Sequence, residues 1–414
     1  MKSNVAIIEP SSAGIKLIDA SLNLENNVIV LTSNTNDRVI PVKYKKICKI
    51  VEVDTNDEMA LRNKLNTLNV ENKINAILPG FEYYVPTSAR LSHYFGLKGL
   101  PVSTVDAMRF KHKMREHLVN SGIRMPQFHV IQSLDDVRKL RNKILFPCVV
   151  KPSHLAGSLY IRKIYSFDEL QKYLCILLQD QYQDMGYSMQ GDILIEEYIS
   201  GRELSVEGYV NNGRINYVSI TDKYLGAEPY FVEIGHIVKA NISAEVENDL
   251  LDYTSSVIKA LGINVGAFHA EIRLANGEPV LIEIAARLVG DCISELIELS
   301  TGISLSEKMV ETYLGQSVEN KTLSEFKRYS GVRFIYGRAG NIFTGLMGQD
   351  EIHEMTGFYQ LRSLLQEGDV IQPFIDYRGR IAEIIFYGES HAEVESRLNS
   401  ASQKLNILTR KANE

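Results

Sequence analysis

Several quick answers are excluded by what the sequence lacks. Its four cysteines, Cys48, Cys148, Cys175 and Cys292, form no C-x-x-C pair and no metal-ligand spacing. Scattered thiols in a long chain suit a reducing cytoplasm, where they serve as small core residues. Positive charge is not in surplus: 45 Lys and Arg stand against 51 Asp and Glu, a net charge of -6. That balance argues against nucleic-acid partners, which need a basic face, but it allows a local basic pocket for a nucleotide. No apolar run approaches the ~20 residues needed to cross a bilayer, so no membrane partner is expected. The apolar stretch at 5–8 is broken by Glu9 and Pro10 too early for a secretory signal and reads as a first buried strand. A Walker A loop, a G-x-G-x-x-G fingerprint and an H-E-x-x-H helix are missing, as are internal repeats and low-complexity segments.

The composition, 45% hydrophobic and 23% charged over 414 residues, is that of a globular protein with two or three domains. In the first hundred residues, short apolar runs at 5–8, 28–31 and Ala76–Pro79 read as buried strands, with helical patterns at 14–22 and 58–68 between them. This alternation predicts a parallel sheet covered on both faces. Its ligands should sit beyond the strand ends that carry Glu9-Pro10-Ser11-Ser12 and Gly80-Phe81-Glu82. Leu97-Lys98-Gly99-Leu100-Pro101 reads as a hinge, followed by one helix over 104–121 with Thr104 as N-cap and Gly122 at its end. Strands follow at 146–151 and 160–164, then a helix over Phe167–Gln179 and a strand at Ile193–Glu197. Asn211-Asn212-Gly213 joins a hairpin of 203–210 and 214–221. A helix at 245–261 leads to strands 269–274 and 279–284, and the last eighty or so residues alternate again, with a strand at 381–387. The expected organisation is an α/β domain at 1–103, an α+β region at 104–315 and a lid-like lobe at 316–414.

Within this frame a few residues could carry chemistry. Lys151 closes an apolar strand, where an unpaired ammonium would be costly, so it is either ion-paired or faces a ligand. Lys111, in Phe110-Lys111-His112-Lys113, reads on its own as a solvated helix position. The small-residue loop 153–158, Ser-His-Leu-Ala-Gly-Ser, is either an ordinary turn or a set of N–H groups that can surround phosphate. Glu196-Glu197-Tyr198-Ile199 and Glu203 form either a solvated acidic edge or a strand end able to hold adenine and ribose. Glu271 and Glu283 each interrupt an apolar strand, and the turn between those strands makes them hairpin partners. Two carboxylates on one face repel unless a cation lies between them, and Mg²⁺ is suited to such a pair.

The order of these pieces resembles the ATP-grasp superfamily over nearly the whole chain: lysine helix, lysine strand, small-residue loop, Glu-Glu-Tyr-Ile hinge, paired glutamates and Arg287. Within it the chain is similar to the L-amino-acid ligases, through Tyr230-Phe231-Val232-Glu233-Ile234-Gly235-His236. The resemblance implies a preATP-grasp α/β domain, a split ATP-binding region and a C-terminal lobe. It implies ATP held at its phosphates by Lys111, Lys151 and the loop with Ser153, Gly157 and Ser158. Glu196, Glu197, Tyr198 and Ile199 would form the adenine hinge, and Glu203 would hold ribose. One or two Mg²⁺ ions, or Mn²⁺ in their place, would sit on Glu271 and Glu283. Arg287 would stabilise transferred charge, with Glu233 and His236 facing the amino-acid substrates and Glu82 also in the substrate site. Asp291, four residues after the arginine, is either a helix cap or lies by the first substrate's side chain, where it would favour a cationic group. The implied partners are small carboxylates and amines, and the assembly common to relatives is a homodimer. Two features depart from the pattern: the loop keeps only Gly157, and Ala285 stands where many relatives carry Asn. Biotin-type carboxylation competes, although no Ala/Val-Met-Lys-Met site is present. A nucleotide-binding protein without catalysis is the other competitor.

Overall fold

A computed structural model describes residues 2–35, 38–188, 190–317 and 325–411. Near the N-terminus, Asn4–Ile8, Asn27–Thr32, Lys49–Glu52 and Ala76–Pro79 form a parallel sheet in the order third, second, first, fourth. Its strands are apolar on both faces because the helices Lys16–Asn23, Glu58–Glu71 and Val85–Tyr94 cover both. The first and fourth strands are neighbours, so their C-terminal loops meet. A Cβ on Gly14 would lie 1.7 Å from the Gly80 carbonyl oxygen, and only glycine allows that approach.

The helix expected over 104–121 is two elements, a 3₁₀ turn at Val105–Met108 and an α-helix at Lys111–Leu118. Phe110 between them is extended, and the Thr104 side chain makes no capping bond. The expected strands at 146–151 and 160–164 are observed as Cys148–Pro152 and Arg162–Ile164. Pairing continues past Lys151 through Pro152, which lies opposite Ile193. Cys148–Pro152 is central in a four-stranded sheet with Arg162–Ile164, Ile193–Glu197 and Phe128–Ile131, packed under the helix Phe167–Gln179 through Val150, Ile195, Leu170 and Leu174.

The largest sheet has eight strands, in the order Glu278–Ala285, Val265–Ala275, Arg202–Asn211, Arg214–Leu225, Glu233–Val238, Tyr329–Tyr336, Arg380–Gly388 and Phe358–Ser363. Asn212 and Gly213 turn the Arg202–Leu225 hairpin with φ of 51° and 78°, the left-handed pair that a two-residue turn requires. The sheet runs across position 315: Val238 lies opposite Ser330 and Gly235 opposite Arg333. Strands from the last hundred or so residues thus extend the sheet that carries Glu203, Glu271 and Glu283. No helix among the described residues is long and apolar enough to cross a membrane.

Candidate active site

A cavity of about 480 Å³ lies where the N-terminal loops, the four-stranded sheet and the eight-stranded sheet converge. Its lining includes Ser11, Ser12, Gly80 and Glu82, so the parallel sheet does present its strand ends to the cavity.

One wall carries the cations. Lys151 Nζ lies 2.6 Å from Glu196 Oε2, and Arg115 Nε donates to Glu196 Oε1 at 2.7 Å. Burial opposes ionisation of Glu196, but Arg115 and Lys151 outweigh it and hold the carboxyl at about 2. Burial lowers the Lys151 pKa, with Glu196 opposing it and the nearby Arg115 adding to the fall. Lys111 is not solvated; it is 3% exposed. Its Nζ donates to the Leu155 carbonyl at 2.7 Å and lies 3.0 Å from Glu283. The helix Lys111–Leu118 turns one face to the sheet, which places Lys111 and Arg115, four residues apart, side by side. Arg115 donates to the carbonyls of Leu281 and Ile282, tying this helix to the glutamate hairpin.

An adjoining wall, joined to the first by the Lys111–Glu283 contact, carries the paired carboxylates. Glu271 and Glu283 are direct partners across the hairpin, with a bulge just after Glu271. Glu271 accepts from Lys223 Nζ and from His269 Nε2 at 3.2 Å. Burial disfavours its charge, yet Lys223 and His269 keep its pKa well below the usual carboxylate range. His269 rises to about 9, because Glu207 and Glu271 prevail over burial. Lys223 also meets Glu203 at 3.2 Å and Glu233 at 2.9 Å, and Arg273 donates to Glu203 at 2.9 Å. Two facing carboxylates beside a cation-rich wall fit Mg²⁺ by donor chemistry. Ala285 adds no third side-chain oxygen.

Glu82 closes a third side. Arg287 Nε donates to it at 2.9 Å, and Arg109 Nη1 lies 3.8 Å away. Burial opposes its charge, but Arg287, Arg109 and Lys111 hold the carboxyl at about 2. Asp291 lies beyond Arg287 and is not a helix cap. With φ of 53° it precedes Cys292, and no side chain caps the helix Ile293–Thr301. Its carboxylate turns instead to Arg380, which donates at 2.8 and 3.2 Å. Glu233 meets Arg380 at 3.2 Å as well as Lys223. Burial and the Asp291 charge raise Glu233 to about 8, despite Lys223, whereas Arg380 and His236 keep Asp291 ionised against the cost of burial. His236 is fully buried 3.8 Å from Asp291, outside the cavity lining. Among the described residues, neither of its ring nitrogens has a hydrogen-bond partner.

Ala156, Gly157 and Ser158 line the cavity beside Tyr377. The Ser153 hydroxyl is turned away; it contacts the ring of His112 at 2.6 Å and accepts from its amide at 3.1 Å. Glu196, Glu197, Ile199 and Glu203 reach the cavity. Tyr198 points elsewhere, donating to Glu228 at 2.7 Å beneath Lys163. The sequence reading passed over Arg109, Arg115, Lys223, His269, Arg273, Tyr377 and Arg380. Lys223 and Arg273 interrupt apolar strands as Lys151 does, and that signal would have found them. Tyr377 and Arg380 carry no local signal, since only the fold brings them to the cavity.

Residues 144–295 match the family model of the ATP-grasp domain. The chain carries that domain and has the ATP-grasp fold. Its likeness to amino-acid ligases is seen in two kinds of comparison. An L-arginine-specific L-amino acid ligase of Bacillus subtilis is 28% identical over 338 residues, 78% of this chain and 77% of that protein. Dapdiamide A synthase of Enterobacter agglomerans is 29% identical over 241 residues, 55% of this chain and 53% of that protein. Among solved structures, an L-amino acid ligase from Bacillus licheniformis aligns with a TM-score of 0.84 over 99% of both chains, at 23% identity.

Proposed function

We propose that this chain is an ATP-dependent carboxylate–amine ligase that joins amino acids or similar substrates and releases ADP and phosphate. One observation carries the reading: Lys111, Lys151, Glu271, Glu283 and Arg287 come from distant parts of the sequence yet line one cavity. A carboxylate is a poor acyl donor in water. In the proposed reaction its oxygen attacks the γ-phosphorus of ATP, the bond to the β-phosphate oxygen breaks, and ADP leaves. The amine nitrogen then attacks the acyl carbon, phosphate leaves with the C–O electron pair, and the amine gives up a proton as the amide forms.

Lys111 and Lys151 would neutralise phosphate charge, with the backbone of 155–158 closing over it. The strand end Glu196–Ile199 would offer backbone groups to adenine, and Glu203 would accept from ribose. Glu271 and Glu283 would hold Mg²⁺, or Mn²⁺ as another hard cation, which when bound would supply positive charge to offset that of the phosphates. Arg287 would stabilise charge on the transferred phosphoryl group, and its pairing with Glu82 would hold the guanidinium in place. Glu233 would accept from a substrate ammonium, with Asp291 close to the first substrate's side chain. The test is ADP and phosphate release across pairs of amino acids, with product masses recorded. Release that needs both amino acids, and a product lighter by one water than their sum, is expected. ATP turnover with bicarbonate alone would instead favour carboxylation.

A further inference from the structure

Asp291 lines the cavity with its side chain one-third exposed, whereas Arg380 is buried and lies outside the lining. The guanidinium therefore neutralises the carboxylate from behind. Arg380 is fixed there by the two bonds to Asp291, the 3.2 Å approach to the Glu233 carboxylate, a bond to the Glu233 carbonyl at 3.3 Å, and stacking 3.6 Å over the Phe334 ring. Lys223 sits in the same position toward Glu233, at 2.9 Å. Asp291, one-third exposed, thus keeps acceptor surface toward the cavity while Arg380 matches its charge from the protein side, and the Glu233 carboxyl is held from that side by Lys223 and Arg380. A bare carboxylate at position 291 would attract a cationic side chain; one already matched by a buried cation has no net charge to offer.

We infer that Arg380 is a specificity-determining residue that masks Asp291, so that the first-substrate pocket selects a neutral side chain carrying a hydrogen-bond donor over a cationic one. This rests on the ligase reading and names the substrate class of the same site. Arg380 belongs to the strand Arg380–Gly388, about ninety residues after Asp291 in sequence, so the charge of this pocket is set by a separate part of the chain.

The experiment compares kcat/KM for lysine and glutamine as first substrate, read by ADP release with product masses. Arg380→Gln is expected to raise the lysine-to-glutamine ratio by about tenfold or more, while Arg380→Lys keeps it within about threefold of wild type. The double variant Asp291→Asn with Arg380→Gln removes both charges and should return the ratio to near its original value. An unchanged ratio in Arg380→Gln overturns the inference and leaves the ligase reading standing. Should Arg380→Gln fail to fold, Asp291→Asn alone is the deciding variant. It leaves the buried cation less well matched and should raise the glutamate-to-glutamine ratio by about tenfold; no change there also overturns the inference. Absence of ADP release by the wild-type chain with every amino-acid pair would remove the ligase reading, and this inference with it.

Discussion

Lys111, Lys151 and Lys223 are all nearly buried, and each is neutralised by at least one carboxylate of the cavity. Breaking one member of a buried pair strands its partner, which typically costs about 3–5 kcal/mol. Substitutions here therefore have to be chosen so that chemistry and folding are read separately. Glu283→Gln keeps an oxygen for Lys111 but removes the charge a divalent cation needs. Its ADP release is expected to fall by about a hundredfold or more, and its melting temperature to fall as well because the buried Lys111 loses its counter-charge; near-normal release from a folded variant would remove Glu283 from the metal site. Lys151→Ala should show two effects at once. Calorimetry should record weaker ATP binding, and melting temperature should fall because Glu196 keeps only Arg115. A lower melting temperature with unchanged ATP affinity would make Lys151 purely structural. Glu271 and Glu283 were legible in the sequence because a charge inside an apolar strand needs a partner. Lys111 was not: a short helix with three Lys and Arg residues and two histidines looks solvated until the sheet beneath it is known.

At the scale of elements, the loop 153–158 and the turn Tyr377–Gly379 meet over the cavity. Gly157 has φ of 69°, and a Cβ there would lie 2.6 Å from Tyr377 Cδ1. Gly157→Ala should therefore disturb the loop twice, through left-handed strain of about 1 kcal/mol and through collision with the ring. Slower ATP turnover, by about tenfold, with melting temperature nearly unchanged is expected. Adding Tyr377→Ala should recover part of the loss, since it removes the collision; no recovery would mean that backbone strain alone is responsible. The hairpins were legible because Asn-Gly pairs mark their turns. The break at Phe110 was not, because the apolar pattern of 104–121 suits a continuous helix, and the actual geometry is set by packing and by the bond from the Lys111 amide to the Ser153 carbonyl. No local pattern could show that Tyr329–Tyr336 continues the sheet of Glu233–Val238, as strand order is decided by the whole fold.

For the whole molecule, the buried knot of Glu196 with Arg115 and Lys151 joins the helix Lys111–Leu118 to the four-stranded sheet, and Arg115 extends it to the glutamate hairpin. Its carboxyl titrates lower in the fold than in the open chain, so its contribution is complete above the unfolded value of 4.5 and is lost as pH falls toward about 2. The contribution is about 3 kcal/mol. Between those pH values, unfolding free energy by denaturant titration should drop steeply for wild type and less steeply for Glu196→Gln. Equal slopes would mean that Glu196 is not held ionised by its partners.

The central claim is that the cavity activates a carboxylate by phosphorylating it, and an isotope experiment follows that oxygen directly. With the first amino acid labelled with ¹⁸O in its carboxylate, each turnover should place one labelled oxygen in the released phosphate and leave the other in the amide. Unlabelled phosphate, or label carried into AMP, would contradict the acyl-phosphate route.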